Sequence, residues 1–128
     1  MKPELSLLVW SVALAFVQVL IAVQGTVMQV GLPALAANRE SLPELTGWAG
    51  RALRAQRNMV ENLLLFVPLV LVAVVANKTN AMTLLGAQIF FWARLVYAGV
   101  YVAGIPWLRT GVWFVSVIGL ILIFAQLI

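Results

Sequence analysis

At 128 residues the chain has room for one domain. Its hydrophobic fraction is 64% and only 9% of residues are charged, with a mean hydropathy of +1.07. Soluble proteins are roughly half apolar, so a chain this short and this apolar cannot enclose its hydrocarbon in its own core, and its solvent is a bilayer. The net charge of +4 does not point to nucleic acid, because the eight basic residues are scattered among membrane-length segments, where they report topology instead. Cysteine, histidine and aspartate are all absent. That excludes disulfides, thiolate or imidazole metal sites, and Ser-His-Asp chemistry.

The first apolar run covers about residues 5–32. At about 1.5 Å per residue it exceeds the roughly 30 Å of bilayer hydrocarbon and spans with tilt. It is too long for a signal peptide, and no small-x-small cleavage site follows its early part. Gln18, Gln24 and Gln29 interrupt it, and their expected role is hydrogen bonding between helices. A polar loop follows, with Asn38, Arg39, Glu40, Ser41, Pro43, Glu44, Thr46 and Gly47, and either Ser41 or Thr46 is placed to cap the next helix.

The second span is expected over 47–76. Its first half carries Arg51, Arg54, Gln56, Arg57, Asn58, Glu61 and Asn62, and its second half is almost purely apolar, with Pro68 expected to kink it. Arg51, Arg54, Asn58 and Glu61 sit at i, i+3, i+7 and i+10, so they share one helix face. Charges there are costly in a membrane unless they pair, meet water or hold a ligand. Arg57 lies off that face and is placed at i, i+4 from Glu61, where the two can pair.

Asn77-Lys78-Thr79-Asn80 is a tight polar turn into a third span over 81–103. Arg94, Tyr97 and Tyr101 again fall at i, i+3 and i+7. Taken singly, such an arginine can snorkel and such tyrosines can sit in an interfacial belt. Gly104-Ile105-Pro106 breaks the helix, and a fourth span is expected over 107–128, opening on Trp107 and Arg109. The fold class is therefore an all-α membrane protein, a four-transmembrane-helix bundle. Arg39, Arg51, Arg54, Arg57 and Arg109 fall on one side and Lys2 and Lys78 on the other, so the arginine-rich side is expected to be cytoplasmic.

On this topology the second, third and fourth spans deliver polar groups to the same depth. Arginine forks suit carboxylates, Glu61 suits an ammonium group, and Asn58 and the tyrosines add neutral hydrogen bonds. Glutathione meets that description, with two carboxylates, an ammonium, two amides and a thiol that must become a thiolate to react. An arginine stabilises that anion without losing its own proton.

Arg51-Ala52-Leu53-Arg54-Ala55-Gln56-Arg57-Asn58-Met59-Val60-Glu61 resembles the R-x-x-R-A-x-x-N-x-x-E signature of the MAPEG family, the membrane-associated proteins in eicosanoid and glutathione metabolism. The run from Phe91 to Tyr101 is similar to that family's A-R-x-x-Y-x-x-x-Y pattern, and Pro106-Trp107-Leu108-Arg109 resembles the opening of its fourth helix. The resemblance covers nearly the whole chain, as a single domain over 1–128. It implies a homotrimer in a bacterial inner membrane, with glutathione as co-substrate bound between subunits. It implies glutathione contacts from Arg51, Arg54, Gln56, Asn58, Glu61, Arg94, Tyr97 and Tyr101, with Arg109 stabilising the thiolate. Asn62 stands where some eicosanoid-forming members have tyrosine.

Two functions from different classes follow. One is a glutathione-dependent transferase or peroxidase acting on lipophilic electrophiles or hydroperoxides. The other is a non-catalytic lipid-binding or scaffold protein of the same fold. A small multidrug transporter wants an early membrane-embedded carboxylate, whereas Glu4 is terminal and Glu61 lies in an arginine-rich helix.

Overall fold

A computed structural model describes residues 1–36 and 44–128, so Asn38, Arg39, Glu40, Ser41 and Pro43 of the expected loop lie outside the described residues. The described chain forms α1 (Pro3–Val30), a short α2 (Leu32–Ala36), α3 (Gly47–Val75), α4 (Ala81–Ala103) and α5 (Pro106–Leu127). Among the described residues there is no strand. The four long helices are each apolar and long enough to cross a membrane. Large apolar side chains such as Trp10, Phe16, Leu64, Phe114 and Phe124 face outward. With hydrocarbon as solvent this exposure carries no cost, and the protein is an integral, multi-pass membrane protein.

Each helix ends where the local chemistry stops it. The first helix closes at Val30, short of the expected Leu32, because Gly31 takes a φ of 86° and its N–H caps the Val27 carbonyl. Thr46 stands at the N-cap of α3, but its side chain makes no capping bond. Instead its backbone N–H donates to Gln29 Oε1 and its carbonyl accepts from Gln29 Nε2, tying the start of α3 to the end of α1. Helix α3 runs on through Pro68. Asn80 caps α4 through a reciprocal box with Thr83. Gly104 ends α4 in the left-handed region, and the Ile105 N–H reaches back to the Val100 carbonyl, the bond pattern of a Schellman motif.

The buried core draws on every long helix. Leu8 and Ala15 come from α1, Met59, Phe66 and Val70 from α3, Ala87 and Phe90 from α4, and Leu120 and Ile123 from α5. Phe66 and Phe90 stack across α3 and α4 with centroids 4.0 Å apart. Helices α4 and α5 approach closely at Gly86 and Gly119. A Cβ on either glycine would lie 2.6 Å from the other's carbonyl oxygen. Lipid tails are as apolar as leucine, so helices in membranes associate through such backbone-close packing.

The two ends of the bundle differ. At one end Lys2 donates to Thr79, Lys78 to the Leu127 carbonyl, and Asn80 to Gln126. This end therefore holds both termini and the α3–α4 turn. Just inside it, the Thr83 hydroxyl donates to the buried carboxyl of Glu4 at 2.8 Å. At the other end, the Arg51 Nε donates to the Val102 carbonyl at 2.8 Å, so the start of α3 grips the finish of α4.

Candidate functional site

Near the Arg51 end, four of the residues singled out by spacing come together with Arg109 in a chain of contacts. Arg94 Nη2 donates to Asn58 Oδ1 at 2.7 Å. The same guanidinium lies over the Tyr97 ring, 4.2 Å from its centroid. Tyr97 meets Tyr101 edge to face at 5.5 Å, and the Arg109 guanidinium covers the Tyr101 ring at 4.7 Å. Three helices contribute: α3 gives Asn58, α4 gives Arg94 and both tyrosines, and α5 gives Arg109. The i, i+3, i+7 spacing on α4 makes this possible, because it stacks three side chains along one face.

The arginines of this chain have different surroundings. Arg94 is only 1% exposed, and its Nε and Nη1 have no hydrogen-bond partner. It stands behind Asn58 and Tyr97, holding one by a hydrogen bond and the other by cation–π contact. Arg109 is partly exposed and lines a small polar cavity of about 200 Å³ with Asn58, Tyr97, Thr110 and Trp113. It sits in the first turns of α5, where the unpaired N–H groups of a helix N-terminus add positive potential. The cavity therefore has an electropositive rim, a phenol and a carboxamide, a donor set suited to an anion.

The α3 stripe does not enter this cavity as a unit. Asn58 is half-buried and lines it, with its backbone carbonyl and Oδ1 also accepting from Asn62 Nδ2. Arg51 is committed to the end of α4. Arg54, Arg57 and Glu61 are exposed on the outside of the chain, and Gln56 is half-buried. Glycine at position 50 leaves room for the backbone before α3, since a Cβ there would sit 2.6 Å from the Leu45 carbonyl oxygen.

Arg94 and Tyr101 of α4 meet α3 and α5 instead of leaving the bundle. Arg94 does not snorkel, and Tyr97 is buried. The span glutamines divide three ways. Gln29 bonds the Thr46 backbone, Gln24 is exposed, and Gln18 is buried with no partner for its Oε1. Thr110 and Trp113 line the cavity without having been assigned to it from the sequence. Their positions one and four residues after Arg109, on the same short stretch of helix, were the available signal. Among the described residues no group of His, Cys, Asp or Glu has the makings of a metal site.

A family model for the MAPEG family matches residues 6–128. The chain belongs to the MAPEG family. The match runs through all four long helices and the cluster that joins Asn58 to Arg109. As a MAPEG protein it falls in a family of membrane proteins that, in general, are glutathione-related transferases and peroxidases. Comparison with curated proteins and with solved structures returns no match.

Proposed function

We propose that this MAPEG protein is a glutathione-dependent membrane transferase or peroxidase that conjugates or reduces lipophilic electrophiles. The observation that carries the reading is the placement of Arg109, at the mouth of a polar cavity and against the start of α5. A guanidinium there stabilises a glutathione thiolate as an ion pair and keeps its own proton. In conjugation the thiolate sulfur attacks the electrophilic carbon, a carbon–sulfur bond forms, and the leaving group departs with its electron pair. Asn58 and the Tyr97 hydroxyl supply neutral hydrogen bonds to the peptide portion of glutathione.

The cavity of about 200 Å³ is smaller than the roughly 300–1,000 Å³ of small-molecule sites, so one chain holds only part of the tripeptide. Arg54 and Glu61 are exposed on α3, within the described span, where unpaired charge is expensive. A second copy laid against this face would cover them and enlarge the site, with Arg54 facing a glutathione carboxylate and Glu61 its ammonium. A homotrimer gives each site that neighbour. Arg51 contributes by setting the α3–α4 geometry, and Gln56 from the adjoining face. The basic residues at this end argue for a cleft on the cytoplasmic side of a bacterial inner membrane.

The deciding experiment adds glutathione and chlorodinitrobenzene to the purified protein in detergent. Thiolate absorbance and conjugate formation are expected, both lost in Arg54→Ala. If neither signal appears above the uncatalysed rate, the protein is a lipid-binding member of the same fold and the reading fails.

A further inference from the structure

The polar cavity has one wall to which no role has been given. Asn58, Tyr97 and Arg109 bring polar groups to it, and Trp113 brings an indole ring. Trp113 follows Arg109 by four residues on α5, so the two share a helix face, with the ring about 6 Å farther along the axis. Helix α5 runs from the Arg51 end of the bundle to the end where Gln126 bonds Asn80. The step from Arg109 to Trp113 is therefore a step from the membrane surface toward its hydrocarbon. A tryptophan of an interfacial belt stands at the surface, as Trp107 does at 86% exposed. Trp113 lies deeper and is 36% exposed, beside Phe114 and Val115, which face outward. A solute leaving the hydrocarbon along this face of α5 reaches the indole first and the guanidinium next.

We infer, on the glutathione-transferase reading, that Trp113 selects the electrophile: a planar, electron-poor aromatic ring that stacks on the indole with its reactive carbon toward Arg109. Indole is the most electron-rich ring among the side chains, so it favours a flat, electron-poor partner in an offset stack. A saturated molecule gains only contact area from the same wall. In the reaction the thiol proton goes to solvent as the thiolate forms beside Arg109. The sulfur then adds to the ring carbon that bears the leaving group, and the ring and its electron-withdrawing substituents take up the electron pair. That pair is returned as the leaving group departs with the electrons of its own bond, leaving a carbon–sulfur bond. The stack exists before and during this step, so it holds substrate and transition state alike and acts on KM.

The test measures chlorodinitrobenzene conjugation by the purified protein in detergent, beside Trp113→Leu and Trp113→Phe. Two unreactive inhibitors are compared: dinitrobenzene, which is flat and has no leaving group, and nitrocyclohexane, which is saturated. Dinitrobenzene should inhibit the parent more strongly. In Trp113→Leu the KM for chlorodinitrobenzene and the inhibition constant of dinitrobenzene should both rise by about twofold to twelvefold, the worth of one aromatic stack. Trp113→Phe should recover much of that, and inhibition by nitrocyclohexane should change least. Thiolate absorbance with glutathione alone is read in parallel. Its absence in the parent sinks the glutathione reading itself. Where the thiolate forms, equal inhibition by the two compounds, an unchanged KM in Trp113→Leu, or no conjugation of chlorodinitrobenzene overturns the inference and leaves that reading standing. A loss of thiolate absorbance in Trp113→Leu would make the ring a support for Arg109, and a raised KM for glutathione would place it against the tripeptide. Either result also overturns the inference.

Discussion

Arg94 and Asn58 are joined by a 2.7 Å hydrogen bond that crosses from α4 to α3, and one side of that bond is almost sealed from the outside. Thirty-six positions separate them in the chain. The arginine is the largest fully buried side chain described. Asn58→Ala leaves a buried guanidinium N–H without its acceptor, a loss of about 1–3 kcal/mol. Unfolding of the detergent-solubilised protein should show that loss. In Arg94→Met, the further effect of Asn58→Ala should be small. The coupling between the two substitutions, measured as a double-mutant cycle, should be about 0.5–3 kcal/mol. Additive effects would mean that the bond does not hold the helices together.

Arg109 is expected to act on the rate more than on binding. If it stabilises the thiolate, Arg109→Ala should lower kcat by about 10²–10³-fold, the scale of losing one oriented donor to a developing anion. Glutathione affinity, followed by calorimetry, should change far less, because the contacts assigned to Asn58, Tyr97 and the neighbouring copy remain. A parallel fall in both would assign Arg109 to binding alone.

Tyr101 supports that arginine through its ring face and not through its hydroxyl. Tyr101→Phe should therefore keep activity near the parent level, whereas Tyr101→Leu should lose cation–π support worth about 0.5–2 kcal/mol. Comparing kcat for the two variants separates the ring from the phenol. Equal loss in both would point to a direct role for the hydroxyl.

Gly86 and Gly119 admit no side chain. A methyl group on either would meet a backbone carbonyl at 2.6 Å, and a backbone cannot rotate out of the way as a side chain can. Gly86→Ala and Gly119→Ala should each destabilise by about 1–3 kcal/mol. At Gly99 and Gly111 an added Cβ would have nothing within 4 Å, so Gly99→Ala and Gly111→Ala should be neutral or stabilising. Thermal unfolding of the four variants checks the contrast.

The far end of the bundle offers a separate stability test. Glu4 is 4% exposed and accepts from the Thr83 hydroxyl, which also accepts the Asn80 N–H in the α4 cap. Thr83→Val removes both bonds at constant shape and leaves a buried carboxyl without that donor, so a loss of about 2–4 kcal/mol is expected. Glu4→Gln keeps an acceptor oxygen and should cost less. The order of their unfolding midpoints is the measurement.

Much of this architecture is written in local chemistry. Asn80 starts a helix, and Gly104 with Pro106 ends one and begins the next, because these residues act on backbone atoms a few positions away. Three of the spans follow from runs of apolar side chains longer than a bilayer is thick, and in α3 a polar first half runs into a shorter apolar one. The common face of Arg94, Tyr97 and Tyr101 follows from the 3.6-residue turn. The family signature, too, lies on the surface of the sequence, since it is a pattern of residue types at fixed spacing.

Helical periodicity says which side chains share a face, but not which neighbour that face meets. Rotation of each helix about its axis is decided by how all four pack, through contacts such as Gly86 against Gly119 and Phe66 on Phe90. Only that packing put Arg94 behind the cavity and Arg109 at its rim. It turned Asn58 inward from a stripe whose Arg54 and Glu61 stay outside, and it brought Thr110 and Trp113 into the lining. The same packing left Gln18 without a partner. The sequence by itself determined the solvent, the helices and the residues available for chemistry. The tertiary structure decided which of them meet, because burial and contact belong to pairs of helices and not to any one of them.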